Sequence, residues 1–263
     1  MPKVLKEVSG IQYSEKENAF WMLNDSGNSP LLYLVSEEGK ILKELTMNAK
    51  NTDWEDITQD SQRNIYIGDF GNNSNERKDL TILKINHSDL YGNQKINVTK
   101  TQFYYPEQKK FPPKKKKRYY DAEAFFEWNG FFYIFTKSRV KGEMGRTFLY
   151  KVLNSGDTIA NSVYGKVKAQ LISNFTTCSE RDCQITGADI SKEGKKVVLL
   201  NHKSVWIFSN FKGDDFFSGN AKEYLFEHSS QKESVTFKND TIIRIADERF
   251  KNEGGKLYGF IID

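Results

Sequence analysis

Three glutamates at corresponding places in the chain, Glu55, Glu123 and Glu233, are the residues best suited to chemistry. Each opens a short signature: Glu55-Asp56-Ile57, Glu123-Ala124-Phe125 and Glu233-Ser234-Val235. Two further copies begin with a hydroxyl, Ser9-Gly10-Ile11 and Thr186-Gly187-Ala188. Fourteen residues after the glutamates stand Asp69, Lys137 and Asp247, while Asp25 and His202 lie within two places of that offset in the other copies. Carboxylates converging on one point repel one another and require a cation or a bound proton. Carboxylate, hydroxyl and amide oxygens favour Ca²⁺ or Mg²⁺ over zinc. Glu55, Glu123 and Glu233 are therefore the expected metal ligands, with Ca²⁺ the expected ion and Asp69 and Asp247 completing the polar shell. Lys137, Arg77 and Arg249 are expected to recognise an anionic ligand, and Glu123 or His202 are the candidates for activating water. Equally, the repeated glutamates and hydroxyls serve as hydrogen-bonding pins between neighbouring repeats. A lone histidine in such a place is more often a hydrogen-bonding residue than a base.

These residues need a scaffold that brings five similar segments to one axis. The steps between successive signatures are 46, 68, 63 and 47 residues, and each signature is followed by a turn and a second apolar segment. Strand-built repeats of this length predict a radial array, here a single five-bladed β-propeller over residues 1–263. Its blades are expected to be four-stranded and antiparallel. In such a blade the first strand leaves one face and the second returns to it, so both halves of the fourteen-residue pairing meet on one rim. Arg77, Arg139, Arg146 and Arg249 lie in loops leaving the second strands and share that face. The fifth repeat runs out of residues for a fourth strand. Lys3-Val4-Leu5-Lys6-Glu7 resembles Lys40-Ile41-Leu42-Lys43-Glu44 of the first repeat, so the N-terminal segment is expected to supply that strand and close the ring.

Composition fits an all-β ring. Of 263 residues 38% are hydrophobic and 14% aromatic, with 19 Phe and 13 Tyr to pack between blades. The net charge is +4, and setting aside Lys114–Lys117 leaves zero, so the domain as a whole is not a basic surface. The run Lys109–Arg118 suits nucleic acid or an acidic surface, or is a solvated, proline-stiffened hairpin tip. Nothing else resembles a nucleic-acid footprint, and no nucleic-acid partner is expected. No apolar stretch is long enough to span a membrane. No nucleophile elbow, zinc-protease helix or phosphate-binding Gly-rich loop is present. Gly68-Asp69-Phe70-Gly71-Asn72-Asn73 has the composition of a Ca²⁺ loop without its spacing. Cys178 and Cys183 are placed to close a small disulfide ring, which would imply an oxidising compartment and a leader removed before Met1.

The order of blade starts resembles the SdiA-regulated family of bacterial extracytoplasmic five-bladed propellers. Ser9-Gly10-Ile11, Glu55-Asp56-Ile57, Glu123-Ala124-Phe125, Thr186-Gly187-Ala188 and Glu233-Ser234-Val235 stand where that family has its hydroxyl and Glu blades, although Asp56, Ala124 and Ser234 replace glycine. Asp121-Ala122-Glu123-Ala124 is similar to secreted phytase-like esterase propellers. The resemblance implies a secreted, periplasmic or cell-envelope propeller. The function expected is a monomeric binding or scaffold module with a cation-dependent rim site, taking a small anionic ligand or a protein partner. A metal-dependent hydrolase of the lactonase, esterase or phosphodiesterase type is the alternative, and an interaction platform on the enlarged second and third blades is a third.

Overall fold

The computed structural model describes residues 1–92, 95–155, 165–228, 230–251 and 253–262. Strands β1 (Val8–Ser14), β2 (Ala19–Asn24), β3 (Leu31–Ser36) and β4 (Ile41–Thr46) form the first blade. The second is β5 (Trp54–Gln59), β6 (Ile65–Asp69), β7 (Thr81–Ile85) and β8 (Thr99–Tyr104). The third holds β9 (Asp121–Trp128), β10 (Phe131–Lys137) and β11 (Arg146–Leu153). A short strand, β12 (Val167–Lys168), then leaves this blade to pair in parallel with β8, and β13 (Gln170–Thr176) completes the third blade. Strands β14 (Gly187–Ile190), β15 (Lys196–Leu200), β16 (Ser204–Ser209) and β17 (Asn220–Leu225) make the fourth. In the fifth, β18 (Lys232–Asn239), β19 (Ile242–Asp247) and β22 (Leu257–Ile261) pair in that order. The small hairpin of β20 (Arg249–Phe250) and β21 (Glu253–Gly254) sits between β19 and β22. The protein is an all-β, five-bladed propeller.

Strand alternation explains how the blades pack. Successive side chains point to opposite faces, and inner strands such as β2 and β9 are buried on both, so they read as apolar runs, whereas the outer strands β4, β13 and β17 are largely exposed. In β2, Ala19, Trp21 and Leu23 join Trp54, Ile57 and Leu83 of the second blade. Phe20 and Met22 turn the other way, toward the seam with the fifth. Aromatics fill the seam between blades two and three, where Phe70 meets Phe125 edge-on with ring centroids 5.2 Å apart.

The fifth blade departs from expectation. Among the described residues it has three strands, and the N-terminal segment is not its fourth. Lys3–Leu5 forms a single 3-10 turn, closed by the Leu5 amide donating to the Pro2 carbonyl at 3.1 Å. Pro2 has no N–H to give to a sheet, and Leu5 is buried among Val8, Ile11, Phe20 and Ala246. The segment fills the last seam as a plug: the Lys6 carbonyl accepts from the Arg249 amide at 2.7 Å, and the N-terminal ammonium reaches the Gly255 carbonyl at 2.9 Å. The basic run is also not a hairpin tip; it belongs to the crossing from β8 to β9, with Lys115–Lys117 in a 3-10 turn. Cys178 and Cys183 form a disulfide across a Cα–Cα distance of 5.8 Å.

Inner strands of adjacent blades are stitched by side chains. The Ser9 hydroxyl donates to the Trp54 carbonyl at 2.9 Å, and that of Thr186 to the Lys232 carbonyl at 2.7 Å. Asp56 accepts from the amides of Ile57 (2.8 Å) and Phe125 (3.1 Å), and Thr58 accepts from the Glu127 amide. Asp189 repeats the device, accepting from the amides of Ile190 and Phe237, each at 2.8 Å, and from the Thr236 hydroxyl at 2.9 Å. Thr236 in turn accepts from the Tyr13 amide and closes the ring. Removing such an acceptor strands buried donors. Asp189→Ala is expected to lower unfolding stability by about 3 kcal/mol in urea titrations, whereas Asp189→Asn, which keeps one acceptor oxygen, costs less than half of that.

Candidate functional site

The rim begins at irregularities in the strand pairing. Val8 pairs with Asn24 and Gly10 with Leu23, leaving Ser9 unpaired. Likewise Glu55 is skipped between Trp54–Asp69 and Asp56–Gly68, Glu123 between Ala122–Thr136 and Ala124–Phe135, and Glu233 between Lys232–Asp247 and Ser234–Ala246. A bulge inserts one extra residue and re-aims its side chain. Four of the five signature residues are thus bulge residues at the start of an inner strand. Thr186 directly precedes its strand, its amide donating to the Leu200 carbonyl at 3.0 Å. The fourteen-residue pairing holds in space, for Trp54 faces Asp69, Asp121 faces Lys137 and Lys232 faces Asp247.

The three glutamates have three different surroundings. Glu123 is clamped by cations: Lys137 Nζ lies 2.9 Å from Oε2 and Arg139 Nη2 lies 3.0 Å from Oε1. Arg139 also pairs with Asp121, which accepts from the Asn72 amide at 2.7 Å. Burial opposes the charge on Lys137, but Glu123 and Glu233 outweigh it and raise the ammonium above its ordinary value. Glu233 is paired with His202, Nε2 to Oε1 at 2.9 Å. Burial pushes the Glu233 carboxyl up, but His202 and Lys137 bring it below its usual value.

Glu55 stands apart. It is 9% exposed, and among the described residues no group donates a hydrogen bond to its carboxyl. One oxygen each of Glu55, Asp25 and Asp53 lie within 4.8 Å of one another. Burial, then the charges of Glu123, Asp25 and Asp53, push Glu55 well above the usual carboxylate range. Burial and the nearby Asp53 and Glu123 take Asp25 up to about 6, and burial also raises Asp53. Gly71 is pressed against the cluster; a methyl group there would run into Glu55 Oε1 and Asp53 Oδ2. The Gly68–Asn73 segment is therefore a wall of the site and not a ligand loop of its own. Across the mouth, Glu248 is raised to about 8 by burial and by Glu233 and Asp25.

The other expected residues divide. Asp69 pairs with Arg77 at 3.1 Å and accepts from the Asp53 amide at 3.1 Å, so it orients the cluster from behind. Arg77 also donates to the Gly71 carbonyl at 3.0 Å. Asp247, fully buried, accepts from the Lys256 amide at 2.7 Å and the Tyr258 hydroxyl at 2.8 Å. Arg249 is exposed on the β20–β21 hairpin. The structure groups Glu55 with Asp25 and Asp53, and does not bring Glu123 and Glu233 into the same set of oxygens. Asp53 and Glu248 escaped the sequence reading because neither occupies a signature place. The acidic density of Asp53-Trp54-Glu55-Asp56 was the available signal for the first.

No protein-family model matches the chain, and no curated protein sequence matches it. Solved structures do. A gluconolactonase of Xanthomonas campestris aligns at 10% identity over 97% of this chain and 76% of its own, with a TM-score of 0.51. A chain of a nidogen/laminin complex aligns at 11% identity over 92% and 72%, with a TM-score of 0.50. Virginiamycin B lyase of Staphylococcus aureus aligns at 13% identity over 98% and 70%, with a TM-score of 0.43. At these identities the likeness is one of fold.

The raised Asp25 carboxyl sets a pH dependence. A carboxyl whose folded pKa lies above its unfolded value contributes stability below about pH 4 that is lost as pH rises through about 6. In EDTA, Asp25→Asn is therefore expected to be more stable than the parent at pH 7.5 by on the order of 1–3 kcal/mol. That advantage shrinks to nothing toward pH 4, read as the difference between the two unfolding curves.

Proposed function

We propose that the propeller is an extracytoplasmic binding module whose channel mouth holds a divalent cation, Ca²⁺ by ligand chemistry, at Asp25, Asp53 and Glu55. The observation that carries this reading is the buried Glu55 carboxyl, without a hydrogen-bond donor among the described residues and within 4.8 Å of an oxygen of each of two further carboxyl groups. Three anionic oxygens this close are unfavourable unless protonated or neutralised by a cation, and their hardness suits Ca²⁺. Glu123 and Glu233, expected from sequence to be ligands, then serve to hold Lys137, Arg139 and His202 in place. An anionic small molecule bridging the ion to Lys137, with Arg139 and Arg249 near the mouth, is the ligand class this charge pattern suits. The SdiA-regulated resemblance of the blade starts and the Cys178–Cys183 disulfide support an envelope or secreted setting. Added Ca²⁺ at about one hundred times its dissociation constant is expected to raise the melting temperature by roughly 5–10 °C. Glu55→Gln should remove that shift, and an unmoved melt in both proteins would defeat the reading.

A hydrolase reading is favoured by one feature, the His202–Glu233 pair on the rim at 2.9 Å. Glu233 would orient the imidazole while His202 takes a proton from water polarised by the ion. The gluconolactonase among the fold neighbours makes lactones the first substrates to try. Turnover of a lactone or phosphate ester in Ca²⁺ that disappears in His202→Gln, with melting unchanged, would establish it; the absence of turnover across both classes leaves the binding module.

A further inference from the structure

The crossing from blade two to blade three carries the chain's charge excess and is built as an ordered platform. Between Glu107 and Arg118 stand six lysines and one arginine against one acid. Lys109, Lys110, Phe111 and Pro112 are exposed, as are Lys114–Lys117, while Pro113 between them is buried. The platform is anchored at both ends. Gln108, also buried, donates to the Asn75 carbonyl at 2.8 Å, and the Tyr120 amide donates to Asn75 Oδ1 at 2.9 Å. The Arg118 carbonyl accepts from the Arg139 amide at 2.9 Å. None of the six lysines, nor Arg118, is in an ion pair among the described residues. Lys78 adds a further cation, its Nζ 5.2 Å from the Phe111 ring centroid, and the Lys166 ammonium donates to the Lys78 carbonyl.

We propose that this platform docks the propeller on an anionic lipid surface. Each lysine at such a surface contributes about 1 kcal/mol, and single lysines would bind nothing useful alone. Phe111, 38% exposed and flanked by Lys110 and Pro112, is an apolar side chain able to enter the headgroup boundary while the lysines stay at the charged plane. A nucleic acid fits less well. Stacking needs successive free aromatic faces, but Tyr119 is packed on Phe148 and Tyr120 on Tyr105, which leaves Phe111 by itself. The position has a geometric consequence. In this antiparallel blade β8 runs in the same direction as β6, so both end on the rim face. The crossing therefore lies beside the channel mouth, and docking turns that mouth toward the lipid. This inference is independent of the cation site.

The test is co-sedimentation of the full chain in EDTA with vesicles of phosphatidylcholine alone or with one-third phosphatidylglycerol. Binding is expected only to the anionic vesicles, and should weaken steeply as salt rises because exposed charges are screened. Combining Lys114→Gln, Lys115→Gln, Lys116→Gln and Lys117→Gln should weaken it at least about 100-fold with an unchanged melt. Phe111→Ser should weaken it less and leave the salt dependence as it was. Glu55→Gln should bind as the parent does, which separates this surface from the rim site. Equal binding to both vesicle types, an unaffected quadruple variant, or preferential capture by duplex DNA or an acidic polysaccharide at matched charge would overturn the proposal.

Discussion

Five inner strands must stand around one axis without forming a sheet with one another, and every backbone amide on their free edges needs a partner. A buried amide left unpaired costs about as much as a lost hydrogen bond, so the ring cannot close until these edges are satisfied. The protein solves this with side chains of the preceding blade. Asp56 and Thr58 reach the amides of Phe125 and Glu127, Asp189 reaches that of Phe237, and Thr236 reaches that of Tyr13. Asp56, which stands in place of the glycine of similar blade starts, has its explanation here. Both reasons for a repeated polar signature coexist: the hydroxyl residues Ser9 and Thr186 are pins, and the glutamates are aimed into the mouth by their bulges.

The charge arrangement follows from that geometry. Bulges deliver acidic side chains to a narrow, partly dry opening, where like charges cannot all ionise freely. Two of the glutamates are resolved internally, by Lys137 with Arg139 and by His202. The third has no hydrogen-bond donor among the described residues and stands beside Asp25, Asp53 and Gly71, with Glu123 adding to the negative charge around it. Lys137 and Arg139 are already matched by Glu123 and Asp121, so the excess charge around Glu55 is negative and suits a cation.

The fold was legible in the sequence because the signature recurs in every blade, and strand alternation makes a one-place error costly to packing. The rim was legible for the same reason, since the spacing from Glu55 to Asp69 or Glu233 to Asp247 is set by two strands and a turn. What could not be read was the partner of each glutamate, which depends on residues outside the repeat. Asp53 lies two places before Glu55, and Arg139 reaches Glu123 from beyond Lys137. The N-terminal segment misled because Lys3–Glu7 shares residue types with Lys40–Glu44. Type alone does not specify extension when Pro2 lacks a donor and Leu5 has a seam to fill.

The disulfide occupies an instructive place. At the joint between blades three and four, Ala124 stands where the second blade has Asp56 and offers no carboxylate of its own. The Gln184 side-chain amide donates to the Ser138 carbonyl at 2.6 Å, a contact between the loops of the two blades. Gln184 follows Cys183 directly, and the Thr177 hydroxyl donates to the Cys183 carbonyl at 2.7 Å from the other side of the small covalent ring. Ser138 sits between Lys137 and Arg139. A covalent crosslink thus closes the loop whose Gln184 fastens the backbone between Lys137 and Arg139, the two cations that clamp Glu123.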